Sequence, residues 1–400
     1  MFELFKKKNF TLLWWGQLCS QFGDRLIQMI LVGLVAAHAS GSSLTLAKVL
    51  AFTSLPALIV SPIAGAYVDR WNRKRTMIIC DLIRSGLILL LPFLAAWPNH
   101  LFLYMNVFGL FAVASFFVPA RLAIIPDLVE QSQLATANAV FTTSGMVGGA
   151  LTLLIGALLV EWFGTAKSCW VNSAAYTASA LLILPIRSSS GFLVPAAEAP
   201  LKIMEEVWEG VNQLWRHDNT RRVVGLLAIL TAGGGSAMVV GTILVQRCLG
   251  TITKDLGFLS LWLGIGMFLG TVIYGRWGAR HTRRVVLGFS FVGAGLSLAA
   301  FMGAIALLRS GAAASVAALG MGICVGPAGV LANTLVHEAH PERMHGRIFS
   351  SLGIVVNISF ISSMLSAGWI AERFGDLWML SGVAAVFAFC GLALIYYKER

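Results

Sequence analysis

Twelve apolar stretches, each long enough to cross a bilayer as a helix, run through this 400-residue chain. They lie at 10–38, 44–68, 76–97, 101–119, 135–160 and 165–187, then at 222–246, 255–277, 285–308, 312–337, 347–371 and 376–397. A crossing helix needs about 20 predominantly apolar residues, and it satisfies its own backbone hydrogen bonds in lipid. A barrel strand would instead show about ten residues of alternating polarity. Only 12% of residues are charged, against about 25% in a soluble domain, so much of the surface must face lipid. The expected fold class is an all-α membrane protein with twelve transmembrane helices.

The net charge of +11 raises nucleic acid as a partner, and its distribution argues against it. With an even number of spans both termini share one side. On that side the loops take 22 of the 29 Lys and Arg residues, Arg84 and Arg121 among them, and the opposite side takes 6. That is the positive-inside bias, which predicts cytoplasmic termini and anionic lipid headgroups as neighbours. The six cysteines lie in or at the ends of apolar spans with no C-x-x-C, which reads as small buried residues. "FKKKN" followed by an apolar run resembles a signal peptide, but the run is too long and carries Asp24 and Arg25, so it reads as the first span.

The one long polar segment, Arg187 to Arg222, divides the spans six and six. The expected organisation is a first six-helix bundle over 1–187, a linker over 188–221 and a second bundle over 222–400. Within the linker, Leu201, Met204, Val207, Trp208, Val211, Leu214 and Trp215 follow helical spacing, which predicts an amphipathic helix at the membrane interface.

The halves repeat. "GAYVDRWNRK" at Gly65 and "GRWGARHTRR" at Gly275 are 210 residues apart, "PARLAIIPDLV" at Pro119 and "PAGVLANTLVH" at Pro327 are 208 apart, and "EWFG" at Glu161 and "ERFG" at Glu372 are 211 apart. Two six-span halves in one orientation form a parallel repeat, as in secondary transporters whose site lies between repeats near mid-membrane.

Gly65, Asp69, Arg70, Arg73 and Lys74 match the G-x-x-x-D-R-x-G-R-[RK] loop of the major facilitator superfamily, and the chain resembles that superfamily over essentially its whole length. Asn72 stands where the second glycine is usual. Asn tolerates left-handed backbone better than most residues, so the turn is expected to persist. The resemblance implies two pseudo-symmetric six-helix bundles, with Asp69 near the start of the eleventh helix around Arg347 as a conformational latch. "WWGQLCSQFGDRLIQM", "PARLAIIPDLV" and "PERMHGRIFS" resemble the bacterial macrolide-efflux, siderophore-exporter and lysophospholipid-transporter subgroup. This implies a monomer in the bacterial cytoplasmic membrane handling amphipathic molecules.

Asp24 lies about 15 residues into the first helix, near the bilayer midplane. A charge there costs about 2.5–3.5 kcal/mol on insertion scales, and such residues mark transport paths. Asp24 is therefore a candidate substrate or proton-coupling residue, with Gln17, Gln21 and Gln28 roughly on its face. Arg25, about 100° around the helix, is expected to pair with another helix or reach polar groups; structural ion pairs are the plainer reading of both. Asp81 and Arg84, at i and i+3, are expected to form a local structural pair near the Asp69 loop. Asn106, Asn172, Thr231, Ser236, Asn333 and Asn357 can line a path or join helices, and Asn357 is kept among the site candidates. The fifth-span antiporter glycine motif survives only as Gly148, Gly149 and Gly156, which read as close-packing residues. Gly233–Gly235 permits bending or close packing. "HEAHPERMH" from His337 lacks H-E-x-x-H, since Pro341 stands four residues on, so no metal is expected.

The expected function is export of a small amphipathic molecule by alternating access, driven by a proton gradient with no other cofactor and no enzymatic step. The alternatives are lysophospholipid movement between leaflets and a non-transporting scaffold or receptor on the same fold.

Overall fold

In a computed structural model, the structure describes residues 2–38, 41–68, 71–97, 100–187, 212, 214–215, 218–278, 282–339 and 345–396. Most of the linker helix expected over 201–215 lies outside these residues. Within them the chain is helical: α1 (Phe2–Lys6), α2 (Lys8–His38), α3 (Ser43–Ile59), α4 (Ser61–Val68), α5 (Arg73–Ala95), α6 (Leu101–Ile124), α7 (Leu134–Ile183), α8 (Asp218–Leu249), α9 (Lys254–Trp277), α10 (Arg283–Ala306), α11 (Gly311–Ala339), α12 (His345–Phe374) and α13 (Asp376–Tyr396). Ten of the described helices are long and apolar enough to cross a membrane.

The difference from twelve has two local causes. The second stretch is split into α3 and α4 around Val60. The fifth and sixth form one 50-residue helix, α7, broken only at Gly164 with φ +78°. Glycine takes that backbone without steric cost. The same sequence motif ends at Gly375, φ +95°, between α12 and α13. The "EWFG" and "ERFG" repeats thus carry one backbone device, a left-handed glycine that turns the chain between consecutive spans.

Asn72 departs from expectation. Its φ and ψ are −68° and 106°, and its side chain accepts from the Arg75 N–H at 3.0 Å. The residue is an N-cap for α5, with no left-handed turn.

Two compact units form, one of Met1–His38 with Phe52–Pro200, the other of Ala39–Ala51 with Leu201–Arg400. In the first, Phe10, Leu13, Met77, Phe117, Phe141 and Ile183 join one core across α2, α5, α6 and α7. In the second, the short segment before α3 is clamped by charge. Arg247 donates to the Asp376 carboxylate at 2.6 Å and to the Gly41 carbonyl at 2.9 Å. Ser43 donates to Asp376 at 3.4 Å, and Glu372 accepts from the Ser42 hydroxyl at 2.5 Å and the Leu44 N–H at 3.2 Å. Two carboxylates at the start of α3 meet the positive end of its dipole.

The second unit also contains a backbone-to-backbone joint. Gly266 and Gly270 on α9 face Gly322 and Gly326 on α11, and a Cβ at any of the four would collide with the partner's backbone. Small residues four apart let membrane helices approach closely. Gly322→Ala is expected to cost about 1–3 kcal/mol by overpacking, read as a lower thermal midpoint in detergent. Gly233 and Gly235 are packing sites too, against Phe387 and against Ser363 with the Phe360 carbonyl.

The repeat extends to ion pairs. Arg73 at the start of α5 binds Asp127 just after α6 at 3.2 Å, and Arg283 at the start of α10 binds Glu338 near the end of α11. Lys7 pairs with Glu130 at 2.8 Å.

Candidate functional site

The first unit holds a charged cluster deep within its spans. Arg84 on α5 is its hub, with only 1% of its side chain exposed. Its guanidinium donates to Asp24 Oδ1 on α2 at 2.7 Å, to Ser20 Oγ at 2.8 Å and to Asp81 Oδ1. The guanidinium plane lies 4.8 Å from the Phe117 ring centre and 4.4 Å from that of Tyr176, so aromatic faces replace water around the cation. Asp81 is fully buried. Its Oδ2 accepts from Ser179 at 2.6 Å, and its Oδ1 also accepts from Ser20 at 3.2 Å.

Asp24 is the open member, with 39% of its side chain exposed. Its Oδ1 accepts from both Arg84 and the Tyr176 hydroxyl, the latter at 2.9 Å; Oδ2 has no partner among the described residues. Gly23 makes this possible. A Cβ there would stand 2.6 Å from the Tyr176 ring and 2.8 Å from Asn172 Oδ1, so the missing side chain is what brings α7 to α2. Asn172 then donates to the Gly23 carbonyl at 3.0 Å.

Two carboxylates share one guanidinium, so the cluster carries one uncompensated negative charge when both are ionised. Burying such a set is costly unless every polar atom is bonded. The buried acid is bonded at both oxygens, Arg84 Nε is buried without a hydrogen-bond partner among the described residues, and of the two acids Asp24 is the one that reaches solvent. Arg121 on α6 lies within electrostatic range of Asp24, with its Nε buried and without a hydrogen-bond partner among the described residues.

The other sequence candidates divide. Gln21 and Arg25 point to the first arm of α7, away from Asp81 and Arg84. Gln21 lies against Gly145, and the Arg25 guanidinium lies 3.5–3.6 Å from where a Gly149 Cβ would stand. Arg25 is exposed and has no ion-pair partner among the described residues. Gln17 turns inward instead, donating to the Phe141 carbonyl at 3.4 Å, and Gln28 is half-buried. Asn357, in the second unit, donates to Gly353 of its own helix at 2.9 Å. Of the loop motif, Gly65 has open space around it, Arg73 is bound to Asp127 and the Ala123 carbonyl, and Lys74 is half-buried. Asp69 and Arg70 lie outside the described residues, as does the side chain of Arg347 in the first turn of α12.

The Asp81–Arg84 pair does form within α5, and it reaches further than a local pair, because the same guanidinium binds Asp24. Arg84 is therefore an interior residue, in correction of its count among the loop cations. Tyr176 and Ser179 escape the sequence reading. Ser20 was legible in principle, one helical turn before Asp24 on the same face.

The second unit contains an open apolar groove of about 650 Å³ between α8, α12 and α13, lined by Gly233, Phe374, Trp378, Gly382 and Phe387 with Ser236 as its polar member. From Trp378 to Phe387 it follows α13 for about 14 Å at 1.5 Å per residue, roughly half the hydrocarbon thickness of a bilayer.

A sequence model of the Major Facilitator Superfamily matches residues 13–250, more than half of the chain. The chain belongs to the major facilitator superfamily. Among its relatives, the multidrug efflux pump Tap of Mycolicibacterium fortuitum is 23% identical over 92% of this chain and 91% of its own length. The putative bacilysin exporter BacE of Bacillus subtilis (strain 168) is 26% identical over 90% and 89%. Among solved structures, the nucleoside transporter NupG covers 97% of this chain and 99% of its own at a TM-score of 0.76 and 13% identity. A bacterial homologue of the human lysosomal transporter Spinster, inward-facing and unoccupied, covers 97% and 96% at 0.72 and 16%. These structures share the superfamily fold with this all-α, multi-pass membrane protein.

Proposed function

We propose that this superfamily transporter exports a small amphipathic molecule by alternating access, driven by exchange for protons at Asp24. The observation that supports it is the second carboxylate that the Asp24–Arg84–Asp81 cluster holds against one guanidinium, with Asp24 as its open member and Asp24 Oδ2 without a partner among the described residues. Arg84, Asp81 and Tyr176 face Asp24, and Arg121 is the next cation. The relatives named as an efflux pump and an exporter support the outward direction. The distribution of Lys and Arg supports a bacterial cytoplasmic membrane with both termini in the cytoplasm.

The test is flux of a radiolabelled amphiphile in proteoliposomes, with and without a pH gradient. Loss of substrate movement on collapsing the gradient is the expected outcome; gradient-independent movement rules out exchange. The open apolar groove of the second unit, which follows α13 for about one leaflet's thickness, favours lysophospholipid movement as the second reading. Gradient-independent movement of a labelled lysolipid between leaflets is its signature.

A further inference from the structure

Arg25 and Asp24 are adjacent residues of α2, and each offers one unused charged group. Arg25 is exposed in the middle of a span and finds no acceptor among the described residues. A guanidinium at that depth is not stable against lipid, and intramembrane charges face interior or water-filled space. Gly149 supplies the room: the guanidinium lies over it at ordinary contact distance from the position a Cβ would take, so a larger residue on α7 would crowd it. One helical turn before, Gln21 has a buried Oε1 with no hydrogen-bond partner among the described residues. Asp24 commits Oδ1 to Arg84 and Tyr176 and leaves Oδ2 open.

The geometry points to a substrate that carries both charges, an ammonium for Asp24 Oδ2 and a carboxylate or similar anion for Arg25, as in an amino-acid or short-peptide derivative. Neither charge can be supplied by the other side chain, because the two residues leave the helix about 100° apart. Asp24 faces α5 and the second arm of α7, and Arg25 faces the first arm. A zwitterionic head spanning the two satisfies both, whereas an amine alone leaves Arg25 without a counter-charge and an acid alone leaves Asp24 Oδ2 unused while its Oδ1 stays paired with Arg84. This inference rests on the proposed transport reading and names the substrate class for its site. A proton and the substrate ammonium then compete for the same oxygen.

The test uses the purified full chain in detergent and equilibrium dialysis with three labelled probes: the dipeptide phenylalanyl-phenylalanine, its C-terminal amide and its N-acetyl form. The free dipeptide is expected to bind roughly tenfold to a hundredfold tighter than either capped form, the loss of one charge-assisted contact. Arg25→Gln is expected to erase the preference over the amide alone, Arg25→Lys to keep part of it, and Asp24→Asn to erase the preference over the acetyl form. Equal binding of all three probes, binding of none, or an equal loss across all three in Arg25→Gln overturns the assignment. If Asp24→Asn retains gradient-driven exchange while the Arg25 discrimination holds, proton coupling at Asp24 fails and the substrate class stands. If Asp24→Asn abolishes exchange but the wild type binds the three probes alike, only the substrate class fails.

Discussion

Arg84→Ala is expected to be the most damaging single change in the first unit, lowering stability by about 3–5 kcal/mol, the usual cost of removing one partner from a buried pair. The substitution leaves the fully buried Asp81 carboxyl without its cation, with only the Ser20 and Ser179 hydroxyls as donors. It also empties the slot between the Phe117 and Tyr176 rings. Thermal unfolding in detergent reads the effect. Arg84→Lys should recover only part, because an ammonium cannot fork toward three acceptors on two helices. A double change, Arg84→Leu with Asp81→Asn, should be less damaging than Arg84→Ala, since the orphaned carboxyl is gone. Equal stability of Arg84→Ala and wild type would show that the pair is not held as described.

Asp24→Asn is expected to abolish gradient-driven accumulation while leaving the fold intact. The amide oxygen can still accept from Arg84 and Tyr176, so the bonds that tie α2 to α5 and α7 persist. What disappears is the ionisable oxygen. The measurement pairs substrate flux with proton flux in the same proteoliposomes, and residual coupled movement at the wild-type rate rules out the assignment. The exposed loop-end carboxylates of Glu130 and Glu338 cannot mimic this behaviour near neutral pH. Lys7 holds the Glu130 carboxyl, and Arg283 holds that of Glu338, below the ordinary value of 4.5. Such groups stabilise the fold above their unfolded pKa, and that contribution is lost only as pH falls through the lower folded value. Both pairs are therefore charged throughout the range in which gradient-driven transport would be assayed.

Much of this was legible in the sequence because hydrophobic run length and internal repetition depend on composition alone. The span pattern and the "EWFG"/"ERFG" repeat needed no coordinates. Asp24 stood out because a charge in a long apolar run is expensive wherever it points. The bonding of the site was not legible, because it depends on helix rotation. Asp81 and Arg84 at i and i+3 look complete as a local pair, and nothing in the spacing says that the same guanidinium also reaches α2. Tyr176 looks like any aromatic in a span until Gly23 is seen to admit it. Gln21 and Gln28 shared a face with Asp24 only roughly, and that was enough to hide that Gln21 turns with Arg25 toward the first arm of α7. Asn72 was misread because its side chain caps a helix, a role that needs no unusual backbone.

The four glycines joining α9 to α11 have a genetic consequence. An overpacked side-chain interface can be repaired from the other side, because a bulky neighbour can be exchanged for a smaller one. Here the surface opposite each glycine is main chain, which no codon can shrink. A selection for revertants of Gly322→Ala should return glycine at the same position and no compensating change at Gly266 or Gly270, so this joint has little freedom to drift.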